Sequence, residues 1–198
     1  MTPIKPLLNY KKYKWFYTST GKLAVGGKSS LQNDELLKKL KQIRKNHVVM
    51  HTTSPGSPFT VIIEDIEKVT PRDMEETAIF TGCFSRAWKE EKKKTSVDIF
   101  ELKQLYKTRG MKAGTWGVRG EIKRKNVELQ LVLAIQEGKL RAVPEKTVNK
   151  KDILLKIKPG KLDKVDALPK LQVEMSAHVN QEDLLSALPS GGVSIVRE

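Results

Sequence analysis

Lys14-Trp15-Phe16-Tyr17-Thr18 and Lys22-Leu23-Ala24-Val25-Gly26 are two short β-favouring runs, and Ser19-Thr20-Gly21 between them predicts a hairpin turn. A helical pattern follows. Ser29 suits the cap, with Gln32 three residues later as its partner. Leu36, Leu37, Leu40 and Ile43 share one face, while Lys38, Lys39, Lys41, Arg44 and Lys45 fall largely on the others. This helix should bury one side and present a basic side to solvent. Two further β-rich runs, Val48–Thr52 and Phe59–Ile63, flank the breaker Pro55-Gly56-Ser57-Pro58 and should pair.

Thr70, Pro71 and Asp73 combine a cap, a first-turn proline and an acid suited to the helix dipole. Met74, Ala78, Thr81, Ser85 and Trp88 share a face, so one helix is expected to run to the charged stretch 89–94. Beyond it the pattern turns to strand. Candidates are Thr95–Phe100 and Thr115–Ile122, then a long strand in which Val127, Leu129, Leu131, Leu133 and Ile135 alternate with other residues. Lys123, Arg124 and Lys125 read as a basic turn ahead of it. Glu137-Gly138 reads as a turn and Lys139–Val143 as its return strand.

Pro144–Asn149 resembles a linker. The tail predicts a strand Ile153–Lys158, a turn at Pro159-Gly160, a helix Gln181–Leu188 capped by Asn180, and a strand Val193–Val196. The expected fold is α+β: a mostly antiparallel sheet with two main helices, and a small C-terminal α/β appendage. Residues 10–144 would form a nucleic-acid-binding domain. Residues 145–198, too few for ready independent stability, would pack on it.

Charge changes this picture most. The chain has 198 residues and a formal net charge of +14. Residues 1–50 carry +9 and residues 101–150 carry +7, while 51–100 carry −2 and the rest are neutral. An excess confined to two segments suggests a face that attracts polyanions. The alternative is a lysine-rich solvated surface, but solubility alone does not demand so lopsided a balance. No window approaches a membrane span, and no signal peptide is evident. One cysteine, Cys83, fits a reducing cytoplasm.

Catalytic chemistry is sparse. Three histidines, His47, His51 and His178, and one cysteine make a structural zinc site implausible. There is no phosphate-binding P-loop and no nucleophile elbow, so neither cofactor nor metal is expected. Gly26-Gly27, between a strand and a helix, could cradle a phosphate on helix-start amides, though a plain turn accounts for two glycines as well. His51 on an apolar strand reads more readily as a hydrogen-bonded core residue than as a catalyst.

Several motifs together resemble one family. Gly26-Gly27-Lys28-Ser29-Ser30-Leu31-Gln32-Asn33-Asp34 is similar to the Gly-Gly-basic…Gln-Asn-acidic signature of the NFACT-R domain. That is the RNA-binding domain of the NFACT proteins of ribosome-associated quality control, formerly described as fibronectin-binding proteins. In order follow His51 with Pro55-Gly56-Ser57, the stretch from Glu76 to Ser85-Arg86-Ala87-Trp88, Gln104, and Gly114-Thr115-Trp116-Gly117-Val118-Arg119-Gly120. The likeness covers residues 12–143 well and the tail less closely. Where the family usually has an acid four positions before the strand histidine, this chain has His47. Nothing in these residues resembles the N-terminal domain, helix-hairpin-helix segment or coiled coil by which full-length members engage tRNA and the large subunit. Tail elongation on stalled ribosomes is therefore not expected of this stretch.

The resemblance implies a non-enzymatic RNA-binding module, with ribosomal RNA or tRNA and the large ribosomal subunit as candidate partners. The residues expected to carry binding are Lys28, Asn33, His51, Ser57, Trp116, Arg119, Lys123, Arg124 and Lys125, with Lys28 and Arg119 foremost. Trp15, Tyr17 and Trp116 are candidates to stack on unpaired bases, with burial in the core as the alternative. Rival readings are a protein-interaction adaptor with a basic face, a general nucleic-acid binder that also takes DNA, and an enzyme acting on nucleic acid.

Overall fold

The computed structural model describes residues 9–43, 45–175 and 179–197. Arg44 and His178 lie outside the described residues. Strands β1 (Lys14–Tyr17) and β2 (Leu23–Gly26) form the expected hairpin. Helix α1 (Ser30–Gln42) starts at Ser29, whose hydroxyl accepts the Gln32 N–H. Gln32 in turn accepts the N–H of Lys28, one residue ahead of the cap. Strands β3 (Val48–Thr52) and β4 (Thr60–Ile62) pair across the Pro-Gly-Ser loop.

Helix α2 (Pro71–Cys83) has the full reciprocal cap between Thr70 and Asp73. It ends earlier than its apolar spacing predicts. Phe84 leaves helical geometry, and Ser85 caps a separate turn, α3 (Arg86–Lys89). The Arg86 N–H donates to Gly56, which fixes α3 against the Pro-Gly-Ser loop.

Strand β5 (Lys94–Glu101) precedes a two-residue pairing of β6 (Leu105–Tyr106) with β7 (Gly117–Val118). Only two residues of the expected strand 115–122 thus pair. Strand β8 (Lys123–Glu128) then completes a six-stranded antiparallel sheet, in the order β1-β2-β4-β3-β5-β8. Lys123, Arg124 and Lys125 begin this edge strand rather than forming a turn. Alternation sets the two faces. Val49, Val61 and Phe100 meet Leu36, Leu37 and Leu40 of α1, while Met50, Ile62 and Val97 meet Ala78 and Cys83 of α2. Each buried Val, Leu, Ile, Met or Phe among them contributes about 1.5–3 kcal/mol by leaving water.

The expected long strand is two strands in two sheets. After Glu128 the chain crosses to β9 (Leu131–Gln136), which turns through Glu137-Gly138 into β10 (Lys139–Val143). Both turn residues have positive φ, at 50° and 68°, the twist a two-residue hairpin requires. Two short 3-10 turns, Glu145–Thr147 and Lys150–Asp152, occupy the stretch read as a linker. Strand β11 (Leu155–Asp163) runs through Pro159-Gly160 with a register shift instead of turning there. Helix α4 (Lys164–Met175) has no counterpart in the expected pattern; α5 (Gln181–Ala187) and β12 (Gly192–Ile195) do. The second sheet runs β10-β9-β11-β12, so its strands come from both sides of position 144.

The two sheets meet at the outer edge of β1. Gln136 accepts the Tyr17 N–H and donates to the Tyr17 carbonyl. Arg141 donates twice to the Trp15 carbonyl, at 3.2 and 3.0 Å. Side chains thus take the place of a missing neighbouring strand.

Candidate nucleic-acid interface

A cleft of about 630 Å³ opens where the β2–α1 turn, β3, β5 and α3 converge. It gathers Lys28, Asn33, His51, Ser57 and Trp116. Lys14, Arg86 and Lys89 line it too, and sequence reasoning missed all three as binding candidates. Lys14 reads as the first residue of a strand, and Arg86 and Lys89 as helix surface. Only the fold aims them at one space. Among the described residues none of Lys14, Lys28, Arg86 and Lys89 forms an ion pair, whereas Lys12, Lys39, Lys92, Lys94 and Lys103 all do. The sole described acid in the lining, Asp98, accepts the Arg124 guanidinium at 2.6 and 3.3 Å and the Thr53 hydroxyl at 2.9 Å. The cleft therefore carries excess positive charge.

Several polar groups here are already occupied. Asn33 is only 6% exposed, and its side-chain oxygen accepts the Phe59 N–H. A Cβ on Gly27 would collide with that same amide, so the Gly-Gly pair serves close packing. The Lys28 N–H is taken by Gln32, which removes one of the amides a phosphate could use. Ser57 accepts the Thr52 N–H and donates to the Pro58 carbonyl, closing the loop. His51 packs against Phe59 with the rings tilted by 35° and their centroids 4.5 Å apart. Its Nδ1 lies 2.7 Å from the Thr52 carbonyl, which can only accept, so Nδ1 carries the proton and Nε2 is an acceptor. Burial pushes the imidazole below its ordinary value, outweighing that bond and Asp98, and keeps it neutral at pH 7.

Trp116 sits between this cleft and a second groove lined by Lys38, Lys41, Tyr106, Lys107 and Arg109. Asp34 holds it there. Its carboxylate accepts the Trp116 indole N–H at 2.8 Å, the Gly114 N–H at 3.1 Å and the Lys107 ammonium at 2.7 Å. Burial alone would raise this carboxyl; the three donors hold it below the ordinary range. Asp34 stood in the sequence motif, but its partners lie about 80 residues away and no local signal joined them.

Arg119 lies outside the cleft lining, its guanidinium 4.6 Å above the Tyr106 ring and exposed. Gln104 fixes this segment by donating to the carbonyls of Arg119 and Glu121. The basic trio is divided. Arg124 faces the cleft side and pairs with Asp98, while alternation sends Lys123 and Lys125 to the α2 side, where Lys125 lies 3.8 Å from Glu75. Trp15 is 2% exposed and belongs to the core, under the Arg141 guanidinium, and Tyr17 packs edge-on against Tyr10 and Trp15.

Residues 12–120 match the family described as NFACT protein RNA binding domain. The chain belongs to that family. An archaeal Rqc2 homologue, aRqcH of Methanocaldococcus jannaschii, is 31% identical over 202 residues, covering 96% of this chain and 29% of that protein. The chain thus spans under a third of that relative's length. The C-terminal part of the fibronectin/fibrinogen-binding protein of Streptococcus suis superposes with a TM-score of 0.50 at 26% identity, covering 60% of this chain and 45% of that one. The NFACT RNA-binding span includes Lys14, Lys28, Arg86, Lys89 and Trp116. Arg124, Arg141 and the whole second sheet lie beyond it. Among the described residues no helix is long and apolar enough to cross a membrane.

Proposed function

We propose that this protein binds single-stranded or unpaired RNA in the cleft between the β2–α1 turn and α3, without transforming it. The observation that carries the reading is the set of four unpaired cations, Lys14, Lys28, Arg86 and Lys89, around a cleft whose one described acid is already neutralised. Phosphates need cations without competing carboxylates. Trp116 and the neutral His51 add an aromatic edge and an acceptor for unpaired bases. The second groove, with Lys38, Lys41 and Arg109, extends the basic track past Trp116. Family membership supports RNA over other polyanions.

The setting we propose is cytoplasmic translation quality control, with ribosomal RNA or tRNA as ligand and the large subunit as partner. Its support is the archaeal Rqc2 homologue. Binding without catalysis fits the cleft's titratable groups: His51 is locked to a carbonyl and Asp98 to a guanidinium. Cys83 is buried, and burial pushes its thiol up, away from thiolate.

Fluorescence anisotropy over a salt series, with single-stranded RNA, tRNA and duplex DNA in parallel, tests this. Affinity should fall with salt at roughly −0.7 in the log–log slope per phosphate held, and Lys28→Ala should lower the slope by about one such step. RNA affinity indifferent to salt would end the reading. Labelled RNA should remain intact with and without magnesium.

A further inference from the structure

Lys14 differs from the other cleft cations. It opens β1 and is half-buried, with its ammonium 4.3 Å over the centre of the Phe84 ring. Lys12, Lys22, Lys39 and Lys107 each reach a carboxylate. Among the described residues Lys14 has no carboxylate within ion-pair distance, and its ammonium has no hydrogen-bond partner. The groups facing it are cationic: Lys28 from the turn before α1, Arg141 from β10 and Lys164 from the start of α4, with Arg86 and Lys89 of α3 on the same cleft. The Arg141 guanidinium is spent on the Trp15 carbonyl, and Lys164 reaches the Leu185 carbonyl at 3.4 Å. A partly desolvated ammonium facing three like charges is unfavourable unless an anion joins it.

We propose that the Lys14–Lys28 end of the cleft is a phosphate subsite, in which the Lys14 ammonium over Phe84 and the Lys28 ammonium together grip one phosphate group of the bound RNA. The proposal rests on the RNA reading for the ligand's identity, but the chemistry is that of any phosphodiester or phosphomonoester. Side chains make the subsite, since the Lys28 N–H is already bonded to Gln32. Cation–π contact with Phe84 holds the Lys14 ammonium in place without neutralising it.

The subsite has a proton signature. Burial first, then Arg141, Lys28 and Lys164, lower the Lys14 ammonium to about 8. A phosphate reverses the balance and draws it back toward the ordinary lysine value of about 10.4. The bound state therefore holds a proton that the free state releases above pH 8. Affinity should be full below that pH and fall more than about tenfold as pH rises from 8 toward 10.

The test follows the Lys14 side-chain carbon resonance by NMR in the full chain while pH is raised, alone, with saturating inorganic phosphate, and with oligouridine RNA bearing a 5′-phosphate or a 5′-hydroxyl. The Lys14 midpoint should sit near 8 alone and rise with phosphate or RNA. A rise with both RNAs assigns an internal phosphodiester; a rise with the phosphorylated RNA alone assigns a terminal phosphate. Lys14→Met, which keeps the stem on Phe84, should weaken RNA binding about tenfold at pH 7, and Lys14→Arg should keep binding but lose its pH dependence. A Lys14 midpoint unmoved by either ligand, or Lys14→Met binding RNA like the unaltered protein, overturns the subsite. RNA binding with Lys14 unmoved leaves the RNA reading intact. Phosphate moving Lys14 in a protein that binds no RNA upholds the subsite and removes the RNA reading.

Discussion

The indole N–H of Trp116 donates to the Asp34 carboxylate across 2.8 Å, joining residues 82 positions apart. Because Asp34 also holds Gly114 and Lys107, one carboxylate fixes the whole segment from 107 to 116 on α1. Asp34→Asn should cost about 1–3 kcal/mol, since an amide NH2 in place of Oδ2 cannot accept from the Lys107 ammonium, which loses its charged partner. Chemical denaturation measures that loss, and a red shift in tryptophan emission with weaker RNA binding should accompany it. The pH dependence has a definite sign. A carboxyl held below its unfolded value stabilises at and above the ordinary aspartate range, and that contribution disappears as pH falls through the lowered value. The segment should therefore stay ordered at pH 5 and loosen only in stronger acid.

Arg124 shields the cleft from Asp98, its direct cross-strand partner. Arg124→Ala should expose a carboxylate to the phosphates and weaken RNA binding roughly two- to fivefold, the scale of an exposed ion pair. Adding Asp98→Asn to the same variant should restore affinity. If the double variant stays weak, Arg124 touches RNA directly and shielding is not its part.

Gly27→Ala should be damaging although its φ is unremarkable. The added methyl meets the Asn33 amide, which in turn carries the Phe59 N–H. Overpacking of this kind costs about 1–3 kcal/mol. The expected drop in Tm is roughly 2–4 °C for each kcal/mol in a chain of this size. A variant as stable as the parent would mean that α1 can shift freely at its start.

Gln136→Ala should leave the outer edge of β1 half unsatisfied, with the Tyr17 N–H and carbonyl losing their partner. A loss of about 1–3 kcal/mol follows. Light scattering during refolding should rise as well, because a bare strand edge recruits other chains.

Local chemistry made much of this architecture readable. Thr70-Pro71-Asp73 announces α2 because cap, proline and acid all act within one turn, and Glu137-Gly138 announces a hairpin for the same reason. The break at Leu129-Gln130 is invisible, because Val127 and Leu131 are both buried and the alternation continues unbroken into a different sheet. Helix α4 is hidden by Pro169 inside it. Lys123–Lys125 reads as a turn because three cations in a row suit solvent, and an edge strand supplies solvent on both faces. The cleft was half legible. Lys28, Asn33, His51, Ser57 and Trp116 stand in recognisable motifs, whereas nothing local aims Lys14, Arg86 or Lys89 at the same space.

The side chains that close the edge of β1 are made well after the strand itself. Tyr17 waits 119 residues for Gln136, and Trp15 waits 126 for Arg141. The β1–β2 hairpin therefore keeps one open flank until those residues have been made, and contacts of such span close slowly. Nascent chains of this protein should need a protective escort until the β9–β10 hairpin has cleared the exit tunnel, and synonymous changes that slow elongation before codon 136 should lower the yield of folded product.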